Sequence, residues 1–130
     1  MATILLIEDR NDILENLSEY LEMEGHTVLV ACNGKTGIEL ARKFLPDLIV
    51  CDVLMPGMNG FEVLHLLKDV LKTSRIPFIF STSLSEKIDK SEALKLGADD
   101  YIVKPFEPEA LTEMIDTCLE SRRKRQKSTS

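Results

Sequence analysis

The stretch 47-DLIVCDVLMPGMNGF-61 contains the pattern on which the fold prediction rests. An apolar run, Leu48 to Cys51, has the length and composition of a buried strand. A single carboxylate, Asp52, follows it at once, and Met55-Pro56-Gly57 then turns the chain. An acidic residue directly after a buried strand lies where that strand ends and a loop begins. Asp52 is therefore the first candidate for a functional residue.

The rest of the chain repeats this arrangement of a short strand and an amphipathic helix. Hydrophobic periodicity predicts five strands that alternate with five helices. The predicted strands are Ile4–Ile7, Thr27–Val30, Leu48–Cys51, Phe78–Phe80 and Tyr101–Val103, and the predicted helices are Asp12–Met23, Lys35–Phe44, Phe61–Leu71, Ser85–Leu96 and Pro108–Ser121. Because strands joined by crossover helices are parallel and right-handed, we expect an α/β fold with one doubly wound sheet. Ligands of such sheets bind beyond the carboxyl ends of the strands.

Length and composition favour one compact domain. A chain of 130 residues with 44% hydrophobic content can bury a core without disulfides or a structural metal. Its three cysteines stand at wide spacings that match neither a disulfide framework nor a zinc site, so we expect reduced thiols in a cytoplasmic protein. There is no basic leader and no run of eighteen apolar residues, which predicts neither secretion nor a membrane span.

The net charge of −6 is unevenly distributed along the chain. Five of the sixteen basic residues lie within 122-RRKRQKSTS-130, which leaves eleven basic against twenty-two acidic residues, a charge of −11, in residues 1–121. Such an acidic body is not expected to bind nucleic acid directly. We expect residues 1–121 to form the domain and residues 122–130 to form a basic, disordered tail. With only nine residues after the last predicted helix, the output is expected to be a partner protein, unless this chain was cut from a longer one.

Polar side chains follow four of the five predicted strands. Glu8 and Asp9 follow the first, Asp52 the third, Thr82 the fourth and Lys104 the fifth. Each alone has an ordinary explanation as a helix cap or a surface charge, but in a parallel sheet these ends share one cleft. Carboxylates about 4 Å apart repel by on the order of 4 kcal/mol per pair at an effective dielectric near 20. Mg²⁺ offsets that repulsion and accepts one or two carboxylates together with a phosphate, so these residues predict a magnesium site that also holds an anion.

Four segments resemble the receiver domains of two-component response regulators, the CheY-like domains. They are 4-ILLIEDRNDI-13, 46-PDLIVCDVLMPGMNGFEVL-64, 76-IPFIFSTS-83 and 94-LKLGADDYIVKPFEPEAL-111. The resemblance extends from Thr3 to about Leu119, nearly the whole chain. It implies a flavodoxin-like (βα)5 fold with strand order 2-1-3-4-5.

The resemblance implies a role for each acidic residue of the cleft. Asp52 would accept a phosphoryl group from a histidine kinase or phosphotransfer protein. Asp9, Asp52 and the backbone carbonyl of Leu54 would ligate Mg²⁺, and Glu8 would act largely through bound water. The domain would promote its own phosphorylation and dephosphorylation without being an enzyme for a separate substrate.

The resemblance also implies a switch. Thr82 and Lys104 would contact the phosphoryl oxygens, with the Lys104–Pro105 peptide bond cis. Thr82 would move toward the phosphate and Tyr101 would turn inward, which changes the surface of the fourth predicted helix, the fifth strand and the fifth helix. That surface would signal to a downstream output protein or domain, and it is where a homodimer would form.

Two leucines depart from the polar residues common in the family. Leu54 and Leu84 stand two residues after Asp52 and Thr82, and neither can hydrogen bond to a hydrolytic water. We therefore expect the acyl phosphate to be lost slowly.

Other functions compete with this interpretation. A phosphatase of the haloacid dehalogenase class needs a second aspartate where Leu54 stands, and a flavodoxin-like electron carrier needs a phosphate-binding loop where 8-EDRND-12 would repel an anion. The stronger alternative is a non-catalytic docking module of the same fold. Against it stands the presence of all five cleft residues.

Overall fold

The computed structural model describes residues 2–83 and 90–128, with side chains described to residue 124 except that of Lys90. Five strands form one sheet: β1 Thr3–Ile7, β2 Thr27–Ala31, β3 Leu48–Asp52, β4 Phe78–Ser83 and β5 Asp100–Lys104. All neighbouring strands are parallel, in the order β2-β1-β3-β4-β5. The predicted α/β fold, its doubly wound sheet and the strand order are confirmed.

In the described part of the chain, six helices connect or follow the strands. They are α1 Asn11–Met23, α2 Gly34–Phe44, α3 Gly60–Lys68, α4 Leu71–Ser74, α5 Lys90–Lys95 and α6 Pro108–Ser128. Asn33 begins α2, where its side chain accepts a hydrogen bond from the amide of Thr36 at 2.8 Å. Asn59 begins α3 in a capping box, because its side chain accepts from the Glu62 amide while the Glu62 carboxylate accepts from the Asn59 amide. These caps satisfy amides that the first turn of a helix leaves unpaired.

The core lies in two layers, one on each face of the sheet. Alternate residues of a strand face opposite sides, so the apolar strands contribute to both layers. One layer packs Leu5, Ile7, Ile49, Cys51, Phe78 and Phe80 with α2 and α3. The other packs Ile4, Leu6, Leu48, Val50 and Ile79 with α1 and α6. Burial on both faces holds the central strands, and therefore their carboxyl ends, in fixed positions.

The third predicted helix is shorter in the structure than the sequence indicated. Periodicity predicted one helix from Phe61 to Leu71, but α3 ends at Lys68 and a separate short helix begins at Leu71. Val70 adopts an extended backbone between them. The hydroxyl of Thr73 donates to the carbonyl oxygen of Leu67 at 2.6 Å, which satisfies a terminal acceptor of α3.

The last helix is longer than predicted. It continues to Ser128, seven residues beyond the predicted end at Ser121 and into the segment for which a basic, disordered tail was expected. Arginine, lysine and glutamine favour helices, basic residues stabilise a helix C-terminus, and Glu120 pairs with Lys124 one turn later. Across residues 2–83 and 90–128, no helix combines the length and the apolar character needed to cross a membrane.

The predicted helix from Ser85 to Leu96 is described only in part. Residues 84–89 lie outside the described ranges, and they include Leu84, one of the two leucines expected to slow the loss of the acyl phosphate. The described part forms α5, and its buried anchor among residues 91–95 is Ala93.

Candidate functional site

The carboxyl ends of β1, β3 and β5 bring three carboxylates and one ammonium together. Asp52 is the last residue of β3 and Lys104 the last of β5, while Glu8 and Asp9 directly follow β1. One carboxylate oxygen from each of the three acidic residues lies within 4.8 Å of the other two. The structure thus assembles the acidic cluster expected from the strand ends.

The cluster is largely removed from water. Glu8 and Asp52 are each only 5% exposed, and Asp9 is half-buried. Glu8 also accepts a hydrogen bond from the amide of Arg10 at 3.2 Å. Burial of charged groups is costly unless they are paired, so the site requires a compensating positive charge.

Lys104 supplies that charge to two carboxylates at once. Its Nζ donates a hydrogen bond to Glu8 Oε1 at 2.6 Å and lies 3.3 Å from Asp52 Oδ1 as an ion pair without hydrogen-bond geometry. The lysine side chain is 19% exposed, so water screens these contacts weakly. The peptide bond between Lys104 and Pro105 is cis.

The ionisation of the site reflects burial and crowding. Burial and the neighbouring charge of Glu8 raise the pKa of Asp52 to about 7, although Lys104 acts in the opposite direction. Burial alone would lower the pKa of Lys104, but the hydrogen bond and charge of Glu8, together with Asp52, outweigh it and raise that pKa above its usual value. The raised pKa of Asp52 favours its neutral form, whereas the raised pKa of Lys104 favours its charged form.

Thr82 and Tyr101 lie on the opposite face of the sheet from the Glu8–Asp52 pair. Thr82 is inside β4, not after it as predicted, because β4 continues to Ser83. It is 1% exposed, and its hydroxyl donates to the Ser83 carbonyl oxygen at 3.4 Å. Tyr101 is half-buried, pairs with Phe80 in the β4–β5 register, and packs against the layer formed with α2 and α3. Alternation along β4 places Thr82 on the same face as Phe80, so the two predicted switch residues share that face.

Leu54 lies in the loop after Asp52 and its side chain is 65% exposed. A large apolar side chain is thus directed into solvent two residues from the candidate acceptor.

Sequence reasoning missed two residues that border Asp52. Gly60 donates its amide to the Val53 carbonyl oxygen at 2.7 Å, and a Cβ on Gly60 would collide with the Asp52 carbonyl oxygen. The dipeptide Asn59-Gly60 before a helix was a signal for this close approach. Ser81 pairs with Asp52 in the β3–β4 register and is 4% exposed. Its signal was the change from apolar residues to hydroxyl residues at Ser81, directly before the predicted site residue Thr82.

A groove of about 520 Å³ opens beside Lys104, between α1 and the connection from β5 to α6. Its walls are mainly apolar and include Ile13, Leu17, Pro105 and Phe106. The cleft therefore adjoins a surface suited to a protein partner.

Comparisons with known proteins agree with this geometry. The family model described as the response regulator receiver domain matches residues 4–116. The protein PilH of Pseudomonas aeruginosa is 40% identical over 119 residues, which cover 92% of this chain and 98% of PilH. The transcriptional regulatory protein AfsQ1 of Streptomyces coelicolor is also 40% identical over 119 residues, 92% of this chain but 52% of AfsQ1. The structure of the Vibrio cholerae chemotaxis protein CheY4 has a TM-score of 0.83 and 29% identity, and the match covers 91% of this chain and 98% of CheY4. The chain thus spans nearly all of PilH and about half of AfsQ1.

Proposed function

The chain belongs to the response regulator receiver domain family of two-component systems, whose general function is to accept a phosphoryl group, and on that basis we propose that Asp52 is the acceptor. One observation carries the proposal. Asp52 is a buried carboxylate at the end of a central strand, clustered with Glu8 and Asp9 and 3.3 Å from an ammonium. A rigid strand holds the nucleophile still, and the surrounding charges can neutralise an incoming phosphoryl group.

The proposed reaction is a direct phosphoryl transfer. A carboxylate oxygen of Asp52 bonds to the phosphorus of a phosphohistidine, the phosphorus–nitrogen bond breaks, and the imidazole leaves. Lys104 is close enough to Asp52 to transfer its contact from the carboxylate to a phosphoryl oxygen. Thr82 would have to move toward the phosphate from its buried position on the other face, and would then donate its hydroxyl to another phosphoryl oxygen. The residues contribute position and charge, and no acid or base is required.

The donor set fits Mg²⁺. Three carboxylates converge, and Asp52 Oδ1 is buried without a hydrogen-bond partner among the described residues. We infer that Asp9, Asp52 and the backbone carbonyl of Leu54 hold the ion, with Glu8 acting largely through water. Bound Mg²⁺ supplies positive charge to the carboxylates and to the phosphoryl oxygens. Protonated Asp52 is a poor nucleophile, so Lys104 and the cation both favour the reactive carboxylate.

Phosphorylation is proposed to alter the surface of α5, β5 and α6. Thr82 and Tyr101 share one face of adjacent strands, so a movement of one opens space for the other. The described part of α5 buries only Ala93, and a helix with few apolar anchors shifts at little cost. This surface is the proposed contact for a downstream output protein or domain, and for a homodimer.

The phosphodonor is proposed to be a histidine kinase or phosphotransfer protein that docks in the apolar groove beside Lys104. Ile13 and Phe106 line this groove together with Lys104, whose ammonium pairs with Asp52. A protein that lays an apolar surface there would bring its phosphohistidine to Asp52. This partnership implies a cytoplasmic location.

Phosphotransfer from a labelled histidine kinase tests the proposed function. The label should move to the wild type in the presence of Mg²⁺ but not to Asp52→Asn. Beryllofluoride with Mg²⁺ should also change the fluorescence of Tyr101. A non-catalytic docking module would bind the kinase without either change.

A further inference from the structure

Ser81 lies beside Asp52 on the neighbouring strand. The β3–β4 register makes these two residues direct partners. Leu48 and Val50 of β3, like Ile79 of β4, pack toward α1 and α6. Because alternate residues of a strand share a face, Asp52 and Ser81 both face that side of the sheet. The side chains of Ser81 and Asp52 are therefore neighbours on that face.

Two buried atoms at this point lack hydrogen bonds. Within residues 2–83 and 90–128, neither Ser81 Oγ nor Asp52 Oδ1 has a hydrogen-bond partner. Buried polar groups are almost always hydrogen-bonded, to protein or to ordered water. A metal ligated by carboxylates would account for the Asp52 oxygen. Such a metal does not explain why the Ser81 hydroxyl has no hydrogen bond, because serine is neutral. Ser81 is also not one of the three residues whose carboxylates converge, Glu8, Asp9 and Asp52.

Both side chains line a small cavity between the sheet and α1. Its volume is about 10 Å³, and the remaining wall is mainly apolar, with Leu6, Leu14 and Leu17, but also includes Glu8. One water molecule requires roughly 10 to 15 Å³ and two or more polar partners. Ser81 and Asp52 provide those partners, so the cavity has the size and polarity for a single water.

We propose that one buried water bridges the Ser81 hydroxyl and Asp52 Oδ1, and that Ser81 thereby fixes the orientation of the acceptor carboxylate. The χ2 torsion of aspartate is intrinsically broad, so an anchored oxygen restricts a rotation that would otherwise be soft. Ser81 is a positioning residue, since it acts through Asp52 and does not touch the phosphoryl group. This role rests on the proposed function of Asp52 as acceptor.

Labelling by acetyl phosphate at saturating Mg²⁺ tests the positioning role. Ser81→Ala should lower the first-order labelling rate about 3- to 10-fold at saturating donor, because fewer carboxylate orientations are productive. Ser81→Thr and Ser81→Val have the same shape and differ only in the hydroxyl, so the threonine variant should be labelled faster than the valine variant. Ser74→Ala on α4 removes a hydroxyl far from the cleft and should match the wild type. Equal rates for Ser81→Ala and the wild type, or for the threonine and valine variants, overturn the role.

The bridge itself is tested without any phosphodonor. Magnetisation transfer from a long-lived water to the Ser81 amide and β protons is expected in the wild type and should be lost in Ser81→Val. Its absence from the wild type overturns the bridge, even if Ser81→Ala does not fold. The two proposals fail separately. If the wild type is not labelled at all, the acceptor function is wrong, whereas equal labelling of wild type and Ser81→Ala removes only the positioning role.

Discussion

Lys104 Nζ donates a 2.6 Å hydrogen bond to Glu8 Oε1, a contact between residues 96 positions apart in the chain. It joins the ends of β1 and β5, which are separated in the sheet by β3 and β4. The same ammonium forms an ion pair with Asp52. The cleft is therefore assembled around one lysine that balances two buried carboxylates.

Removal of that lysine should destabilise the fold. Lys104→Met leaves Glu8 and Asp52 buried without a counter-charge, so the free energy of unfolding in EDTA at about pH 8 should fall by about 3 kcal/mol. Addition of Mg²⁺ should recover part of the loss, because the cation replaces the missing charge. Urea unfolding measures both effects. Lys124→Met breaks an exposed pair with Glu120 at 4.0 Å and should cost less than about 0.5 kcal/mol. Equal losses for the two variants would contradict the role of Lys104.

Asp52 should make the protein less stable as the pH rises. Its pKa is about 7 in the folded protein, against 3.8 for an unperturbed aspartate, so the folded state retains the proton between these values while the unfolded state releases it. The contribution of Asp52 to the free energy of unfolding is fully present below about pH 4. It declines between about pH 4 and pH 7 and does not change further above about pH 7.

Asp52→Asn removes this titration. In EDTA the variant should be more stable than the wild type by about 2 kcal/mol near pH 8, and the difference should shrink toward pH 4. Urea unfolding across this range measures it. A difference that is independent of pH would show that Asp52 is ionised in the folded protein throughout.

The sequence was sufficient to predict the fold and the meeting of Glu8, Asp9, Asp52 and Lys104 at the strand ends, but not the position of Thr82 on the other face of the sheet. Strands and helices alternate clearly, crossover connections restrict the topology, and Glu8, Asp52 and Lys104 stand where strands end. The exact end of β4 and the directions of the cleft side chains depended on tertiary packing. Strand β4 extends to Ser83, three residues beyond the predicted end, so the faces of Ser81 and Thr82 could not be assigned. The ion pair between Lys104 and Glu8 depends on side-chain directions that no local pattern specifies.

Gly60 should be required for both stability and phosphorylation. In Gly60→Ala the new Cβ would strike the Asp52 carbonyl oxygen, and neither backbone segment can move freely. We expect a loss of about 1 to 3 kcal/mol in unfolding free energy and slower labelling by acetyl phosphate, because the end of β3 shifts. Gly25→Ala is the matched control. Gly25 has a φ of 95° with open space around it, so the variant should be destabilised by backbone strain yet labelled at the wild-type rate. Unchanged labelling of Gly60→Ala would contradict the argument.

Leu54 should prolong the phosphorylated state. Its exposed side chain offers no hydrogen bond to a hydrolytic water near Asp52, so Leu54→Asn should lose phosphate several-fold faster than the wild type. Loss of label after removal of the donor gives the rate directly. Leu71→Asn, at a leucine on α4 that is also largely exposed, should leave the rate unchanged. Identical decay in Leu54→Asn and the wild type would remove this role.

Intact mass after incubation with acetyl phosphate and Mg²⁺ tests the central claim most directly. We predict that the wild type gains the mass of one phosphoryl group, that fragmentation assigns it to Asp52, and that neither EDTA-treated protein nor Asp52→Asn gains it. No gain in the wild type, or an equal gain in Asp52→Asn, would contradict the assignment of Asp52 as the phosphoryl acceptor.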